Sequence, residues 1–592
     1  ELQGFRTFDA RDIRVGSGQE VTLNPSLSVG GLEETVQVTS EAAGVTINRT
    51  NATVGLVTNA RQVVELPISP TRDVTRVALL SPNVVSGPGA EGISANGQRS
   101  RNNNFMIDGS DNNDASVTTS TTPIPPEAVA EIAVQTNPYN VEYGRSSGAQ
   151  FNVITKSGTN AFRGDIFDYY TDSKYNARTN VEKRTGFDDP AGFTRHQVGG
   201  GIGGPVLRNK LFFFGMFQAD IRREDGGPGT TANIPTQAGY ATLQNVPLRA
   251  GQSAASRSAV LNSIGFLQEV YAQNPVFSNV RTTNVNGVPV EIGQVNLPIQ
   301  QDRDAFNLLT RVDYTLSPND TITGRYISDR PTTQNAASNL QFGSRFAGES
   351  ATKDHNLALS HTHVFGPRAL NEARFSYIRR DLSFPEADPV TPTTAITGLF
   401  TIGGLSNFPQ GRIQNSFQFQ DVFSWQKGRH SLKFGGDMRY LQLDNQAAFN
   451  SKGSFTFNNL QDYMNNFANQ FTQALQVASF DARQTQLFFF AQDDFRVTQN
   501  LTLNLGLRYE NSSVPLGFFG AEDQQSLGAL VPGPVQRDNN NWAPRVGFAW
   551  TPTPQGGFLK SLLGAEGQSV VRGGYGIGYD VLFYNLLTVN GS

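Results

Sequence analysis

The sequence has no cysteine in 592 residues, which excludes disulfide scaffolds, thiolate metal sites and cysteine nucleophiles. Histidine is nearly as scarce, with five residues in all, a poor stock for a histidine-built metal centre. An excess of one charge is also lacking. The 47 Lys and Arg stand against 51 Asp and Glu, for a net charge of −4. That near-balance argues against nucleic-acid binding, which usually shows a basic stripe. Long apolar runs are absent too. The stretch Leu211-Phe-Phe-Phe-Gly-Met-Phe217 is far shorter than the ~20 residues of a membrane-crossing helix, which excludes a helical membrane protein. A β-barrel is still allowed, because only every second residue of its strands meets lipid.

Glycine (59) and phenylalanine (41) are abundant beside only 4 methionines, a balance that fits an all-β chain with tight turns and aromatic anchors. The first residues, Glu1-Leu-Gln-Gly-Phe5, are strand-like rather than a secretory leader, so sequence is expected to precede them. Residues 1–33 alternate apolar and polar positions and read as the last strands of a small sandwich. Residues 34–60 are a polar connector rich in Thr and Asn. From 61 to 160 come short strands, Gly/Asn/Pro-rich loops and one short helix, predicted to begin near Pro125-Pro126-Glu127, where prolines are tolerated.

From 161 to 592 the texture changes to long strands. In Leu501–Glu510, Leu501, Leu503, Leu505, Leu507 and Tyr509 face one way, opposite Thr502, Asn504, Gly506, Arg508 and Glu510. Phe306–Leu316, Leu432–Tyr440 and Val571–Asp580 repeat the scheme, and period two over about ten residues is a strand signal. Such strands are longer than the roughly 5 or 6 residues common in soluble sheets. Brief turns (Ser317-Pro-Asn-Asp320, Gly366-Pro-Arg368, Gln426-Lys-Gly-Arg429, Thr498-Gln-Asn500) alternate with long polar loops near 223–303, 381–415 and 444–482. Short turns at one rim and long loops at the other are the layout of an outer-membrane barrel. A strand in lipid has no water for its amides and must pair on both edges, so outward residues are apolar and charges gather inside. Tyr314, Tyr326, Tyr440 and Tyr509 are expected at headgroup level. About thirteen strands are predicted between Arg163 and Asp580. Plugged barrels have about 22 strands, so roughly nine are expected to lie beyond this sequence.

Several motif matches fail on context. Gly144-Arg-Ser-Ser-Gly148 fits the nucleophile-elbow pattern, but strand-like residues follow it where a helix must begin. Gly199, Gly201 and Gly204 fit a dinucleotide loop, but Pro205 follows. His361 and His363 share a strand face with Leu357, Leu359 and Phe365, which predicts interfacial anchoring rather than a metal site. Asp108, Asp111 and Asp114 offer oxygens to Ca²⁺, but EF-hand spacing and its closing Glu are missing. A hydrogen-bonded turn is the plainer reading. No acid/base or nucleophile set converges, so no enzyme and no cofactor are expected.

An ordered series of segments resembles the TonB-dependent receptors, in the branch with a carboxypeptidase-regulatory-like sandwich before the plug. Glu34-Thr-Val-Gln-Val-Thr-Ser40 is similar to that family's TonB box. Val64-Glu-Leu-Pro67, Leu79–Val84, Asn96-Gly-Gln-Arg99 and Phe105-Met-Ile-Asp-Gly109 resemble its plug. Glu127–Val134, Tyr143–Gly148 and Ile154–Asn160 resemble the plug's closing helix, strand and passage into the barrel. Phe488–Asp494 with Leu505–Glu510 is like a barrel hairpin of that branch.

The resemblance implies a mainly β fold. It would be an incomplete transmembrane antiparallel β-barrel with an N-terminal α+β plug and the tail of a β-sandwich. It implies TonB-driven import of a small or oligomeric solute, with TonB gripping Glu34, Thr35, Val36, Gln37, Val38, Thr39 and Ser40 by strand addition. The expected setting is outer-membrane lipid, with the N-terminal region in the periplasm. Arg99, Arg101, Asn102, Asn103 and Asn104 form a polar cluster that either contacts the solute or holds the plug against lumen carboxylates. The rival class is a surface or secreted β-protein that binds polysaccharide or acts as an adhesin, which predicts a polar exterior.

Overall fold

Every second residue of the strand Trp542–Trp550 is buried, and the buried ones are Ala543, Arg545, Gly547 and Ala549. The exposed set is Trp542, Pro544, Val546, Phe548 and Trp550. This inverts a soluble sheet, with apolar side chains outside and an arginine inside. Leu501–Ser512 behaves alike: Leu505 and Leu507 are 42% and 43% exposed, whereas Asn504, Arg508 and Glu510 are buried. The computed structural model describes residues 7–11, 35–39 and most of 52–584, apart from 516–536 and several shorter stretches. Among the described residues no helix is long and apolar enough to cross a membrane.

Thirteen strands form one antiparallel sheet in chain order, from Arg163–Asp172 to Val571–Gly576. They reach 21 residues in Phe346–Gly366 and Ala478–Thr498, and neighbours pair over nearly their full length, as in Gln410–Lys427 with His430–Ala447. The expected alternation, turns and strand number all appear. The last strand stops at Gly576, however, so Ile577 and Tyr579 lie beyond the alternating run predicted to reach Asp580. Tyr509 packs on Trp542 with ring centroids 4.7 Å apart, an aromatic pair near the long-loop rim.

Inside this wall sits a second unit. Its five-stranded sheet runs Val54–Asn59, Val129–Asn137, Gln150–Thr155, Asn104–Ile107, Ser110–Asp111, with one parallel pair between the third and fourth. Its core holds Val77, Ile93, Phe105, Ile107, Ile132 and Phe151, with Phe105 and Phe151 stacked at 4.8 Å. The wall's inward Phe214, Met216, Leu309 and Ile327 join the same core, so the plug is packed against the wall as well as charged toward it. The helix predicted at Pro125 is only a 3₁₀ turn, Pro126–Ala128, that runs straight into strand Val129–Asn137. The strand's alternating Ile132 and Val134 are claimed by the plug core, which overrides a helix start. The plug's α-helix is instead Ala60–Glu65, opened by a reciprocal cap between Asn59 and Gln62.

The long loops correct the sequence reading most. They are not simply polar. Residues 226–299 contain a three-stranded sheet (Ala232–Pro235, Val288–Val295, Ser278–Val285) and helices Gln237–Leu243, Ala254–Ser263 and Leu267–Ala272. Two further loops, with the strands Thr393–Ile396 and Ser454–Phe457, build a four-stranded sheet. All three loops share one apolar core, with Leu243, Ile264, Ile292, Phe400, Leu460 and Met464 buried together. Each loop contributes only short apolar pieces at mixed spacing, so no single loop shows a period.

Candidate functional site

Among the described residues, the plug's Asp108, Asp111, Asp114 and Glu142 meet cations of the wall. Asp108 lies 3.3 Å from Arg325 and 3.5 Å from Arg311. Asp111 accepts from Arg439 at 2.9 Å and from the plug's own Arg145 at 2.8 Å. Asp114 accepts from Arg412 at 2.6 Å, with Arg380 at 3.5 Å. Glu142 accepts from Lys433 at 2.9 Å, with Arg374 at 3.5 Å. Burial alone would raise the Asp111, Asp114 and Glu142 carboxyls. The paired cations outweigh it and hold all three below the usual carboxylate range.

The wall arginines are themselves aimed. Arg311 is held by Asp313, Arg374 by Glu372, Arg439 by Asp437 and Arg508 by Glu510. In each case the carboxylate stands two residues away on the same lumen face of its strand. Arg311 then donates to Thr155 O, and Arg508 to Val141 O and Glu142 O. A strand's period of two places both partners inward, so the carboxylate fixes the guanidinium fork before the plug meets it.

Beside these contacts runs a cavity of about 450 Å³ between the plug and six neighbouring wall strands. The plug side is Arg72, Asn112 and the segment Thr119–Pro126; the wall side includes Arg195, Asp220, Arg303, Asn307, Asp354 and Arg380. Thr121 Oγ1, Thr122 Oγ1 and Gln218 Oε1 are buried along it without a protein hydrogen-bond partner. Buried polar atoms require partners, so this space is suited to water or a polar solute rather than to packing.

Residues 154–591 match a family model described as an outer membrane beta barrel domain. The chain belongs to that family. This outer-membrane barrel is similar to the TonB-dependent transporter Oar of Myxococcus xanthus, 24% identical over 627 aligned residues. The match covers 94% of this chain but 55% of Oar, so the chain spans about half the length of that curated relative. Among solved structures it resembles the outer membrane transporter YddB from Escherichia coli. The TM-score is 0.57 at 13% identity, covering 92% of this chain and 63% of YddB. It also resembles the siderophore receptor PirA from Acinetobacter baumannii, with TM-score 0.53 at 12% identity, covering 89% of this chain and 61% of PirA. At these identities the likeness shows a shared fold, a barrel with a plug. The exposed leucines, valines and aromatics of this outer-membrane barrel are therefore its lipid face, and the bacterial outer membrane is its location.

The residues singled out from sequence take different places in the outer-membrane barrel. Asn103 is buried, donates to Ile93 O and Ser100 O, and accepts from Ala149 N. Asn104 is buried between Gln150 and Gly144 O. Asn102 joins Ser147 and Asp580. These asparagines organise the plug from within, whereas Arg99 is exposed and Arg101 half-buried. Asp108, Asp111 and Asp114 do not converge as a calcium site would require; each is spent on arginines. The glycines of the elbow-like motif are explained by close approach. A Cβ on Gly144 would collide with Glu510 and Arg508, and one on Gly148 would lie 2.6 Å from Asn103 Oδ1. Thr35–Thr39 is a strand, paired in parallel with Thr7–Arg11. Glu34, Ser40 and the rest of the predicted sandwich and connector up to residue 51 lie outside the described residues. Sequence reasoning missed the aimed wall arginines, although an arginine and a carboxylate two residues apart, in either order, recur on four wall strands and were a usable signal.

Proposed function

We propose that this chain is the plug and part of the barrel of an importer that moves a solute across the outer membrane using TonB. The observation that carries the reading is the stopper itself, an ordered domain that fills a polar lumen and is fastened by aimed ion pairs. A passive porin has no use for such a stopper, so opening must draw on outside work. An outer membrane has no ATP, and a partner coupled to the inner-membrane proton gradient is the available source, at about 2.3 kcal/mol per charge per 100 mV. The segment Glu34–Ser40, ahead of the plug and containing an extended strand, is the handle on this reading; TonB grips it by strand addition. Arg99 and Arg101 are the remaining candidates for first contact with solute, and the cavity along Thr119–Pro126 is its path once the plug shifts. The relative Oar, a TonB-dependent transporter, supports the assignment of TonB as partner. The rival, a secreted polysaccharide-binding or adhesive β-protein, requires a polar exterior, and exposed Leu505, Val546 and Phe548 argue against it.

The test is uptake against surface binding in cells that express the complete protein. Proline at Val36 removes a main-chain donor and resists strand pairing. We expect Val36→Pro to abolish energised uptake while surface binding of the same solute persists. Undiminished uptake by that variant would remove the handle from the mechanism. Candidate solutes are ferric siderophores, cobalamin, oligosaccharides and peptides.

A further inference from the structure

Three side chains meet at the short-turn rim, outside the lumen and outside the plug. Asp320 opens its strand immediately after the turn and stands opposite His363 in register, while Ile322 stands opposite His361. His361 and His363 are two residues apart on strand Phe346–Gly366, so both rings project from its outer face. His361 Nε2 lies 3.0 Å from Asp320 Oδ1, and His363 Nδ1 lies 2.7 Å from the same oxygen. The three candidate ligand atoms all fall within 4.8 Å of one another. Asp320's other oxygen accepts from Ser317 Oγ at 2.5 Å, which leaves Oδ1 turned to the imidazoles. Phe365 abuts the His363 ring at 4.4 Å, edge to face, and limits its rotation.

We propose that Asp320, His361 and His363 bind a divalent transition-metal ion, with zinc the best match. Two imidazole nitrogens and one carboxylate oxygen are a borderline donor set of the kind that suits zinc, nickel and copper rather than calcium or magnesium. Zinc holds such donors at about 2.0–2.2 Å in a tetrahedron, which places neighbouring donors about 3.3 Å apart. The two His–Asp spacings must open by a few tenths of an ångström, while the two imidazole nitrogens, within 4.8 Å of each other, turn toward a common centre; two paired strands hold the backbone meanwhile. The side chains of Asp320, His361 and His363 are 22%, 47% and 33% exposed and sit where the strand opens from the rim turn, so the ion can arrive from the water beyond that rim and a fourth position stays open. The Ser317 hydroxyl is the outer partner that orients the carboxylate. Two other histidines meet a carboxylate singly, His196 with Asp168 at 2.8 Å and His430 with Asp493 at 2.7 Å. They are internal controls, because an ordinary His–Asp hydrogen bond is present there without convergence. His430 lies at the same rim.

The experiment titrates untagged, metal-stripped protein in detergent with zinc chloride by calorimetry, and with cobalt chloride by visible absorption. We expect one ion per chain and cobalt bands of tetrahedral intensity. His361→Gln, His363→Gln and Asp320→Asn should each weaken zinc by more than about tenfold, and Ser317→Ala by about tenfold. His430→Gln should bind as the native chain does. Far-UV circular dichroism confirms that each variant keeps its sheet. Equal zinc affinity in native protein and His361→Gln, or no saturable binding by native protein, would overturn the assignment.

Discussion

Arg412 Nη2 donates to Asp114 Oδ2 at 2.6 Å and so ties a turn of the plug to a wall strand 298 residues further along the chain. Asp114 is fully buried, and Arg380 approaches the same oxygen. Replacing Asp114 with alanine leaves the half-buried Arg412 guanidinium without its plug carboxylate and leaves Arg380 with Asp354 at 3.8 Å. Breaking one side of a buried pair typically costs about 3–5 kcal/mol. We expect Asp114→Ala to lower the temperature at which the plug becomes protease-sensitive in detergent. Asp114→Ala with Arg412→Met should recover part of the loss, since the two sites share one interaction. Unchanged protection in the single variant would show that the apolar core alone retains the plug.

Acid should loosen the same joint, and its sign follows from the direction of the shifts. Asp111, Asp114 and Glu142 have carboxyls held below their ordinary values of 3.8, 3.8 and 4.5. Their contribution is therefore complete above the ordinary carboxylate range. It is lost only as pH falls through the depressed values. Plug protection should be flat from neutral pH down to about 5 and decline steeply below about 4. A midpoint above pH 5, read by proteolysis in a pH series, would contradict these pairs as the main anchors.

Gly144 has room for hydrogen only, because Arg508 and Glu510 pack against it. Both of those side chains are buried and paired with each other at 2.6 Å, so they have little freedom to retreat. Gly144→Ala should cost about 1–3 kcal/mol of plug docking by overpacking. Alanine at Gly97, where a Cβ meets nothing but φ is positive, should act only through backbone strain of order 1 kcal/mol. Protease-protection midpoints of the two variants separate collision from strain.

These cases show where the sequence was legible. The wall was, because lipid outside and water inside impose a period of two that Leu501–Glu510 displays residue by residue. The turns were legible because Ser317-Pro-Asn-Asp320 and its counterparts are punctuation between such runs. The plug's anchors were not: Asp111 and Arg439 are 328 residues apart, and nothing local marks them as partners. In sequence Asn103 and Asn104 belonged to a polar cluster that could either contact the solute or hold the plug. Their amides are instead consumed by Ile93 O, Ser100 O and Gln150, a bookkeeping of buried polar groups that only the fold reveals. The loop core escaped notice because Leu243, Phe400 and Met464 come from three loops and show no shared spacing.

That loop core makes its own prediction. Phe400 is 2% exposed, and its ring meets Phe342 edge to face at 5.9 Å. Truncation of a buried phenylalanine to alanine costs about 3–5 kcal/mol. Phe400→Ala should render residues 226–299 and their partner loops sensitive to protease on intact cells. The barrel's sheet content, read by circular dichroism, should be unchanged, because the wall strands pair without help from this core. If sheet content falls together with loop protection, loops and wall fold as one unit.

The inverted exterior can be tested at Leu507, which is 43% exposed and lies between Ala491 and Pro544 in the wall. On a soluble protein, arginine at an exposed leucine usually changes stability by no more than about 0.5 kcal/mol. On a lipid face, arginine near the bilayer midplane costs about 2–4 kcal/mol, and less toward either interface. Leu507 sits mid-strand, flanked by exposed Leu505 and by Tyr509 toward the aromatic rim, so the larger cost is expected. Denaturant titration of protein folded into vesicles measures it directly. Leu507→Arg should lose at least about 2 kcal/mol, and Leu507→Phe, which keeps the apolar contact, should lose little. An arginine tolerated there as on a soluble surface would mean that this face does not meet hydrocarbon, and the plugged-barrel mechanism would fall with it.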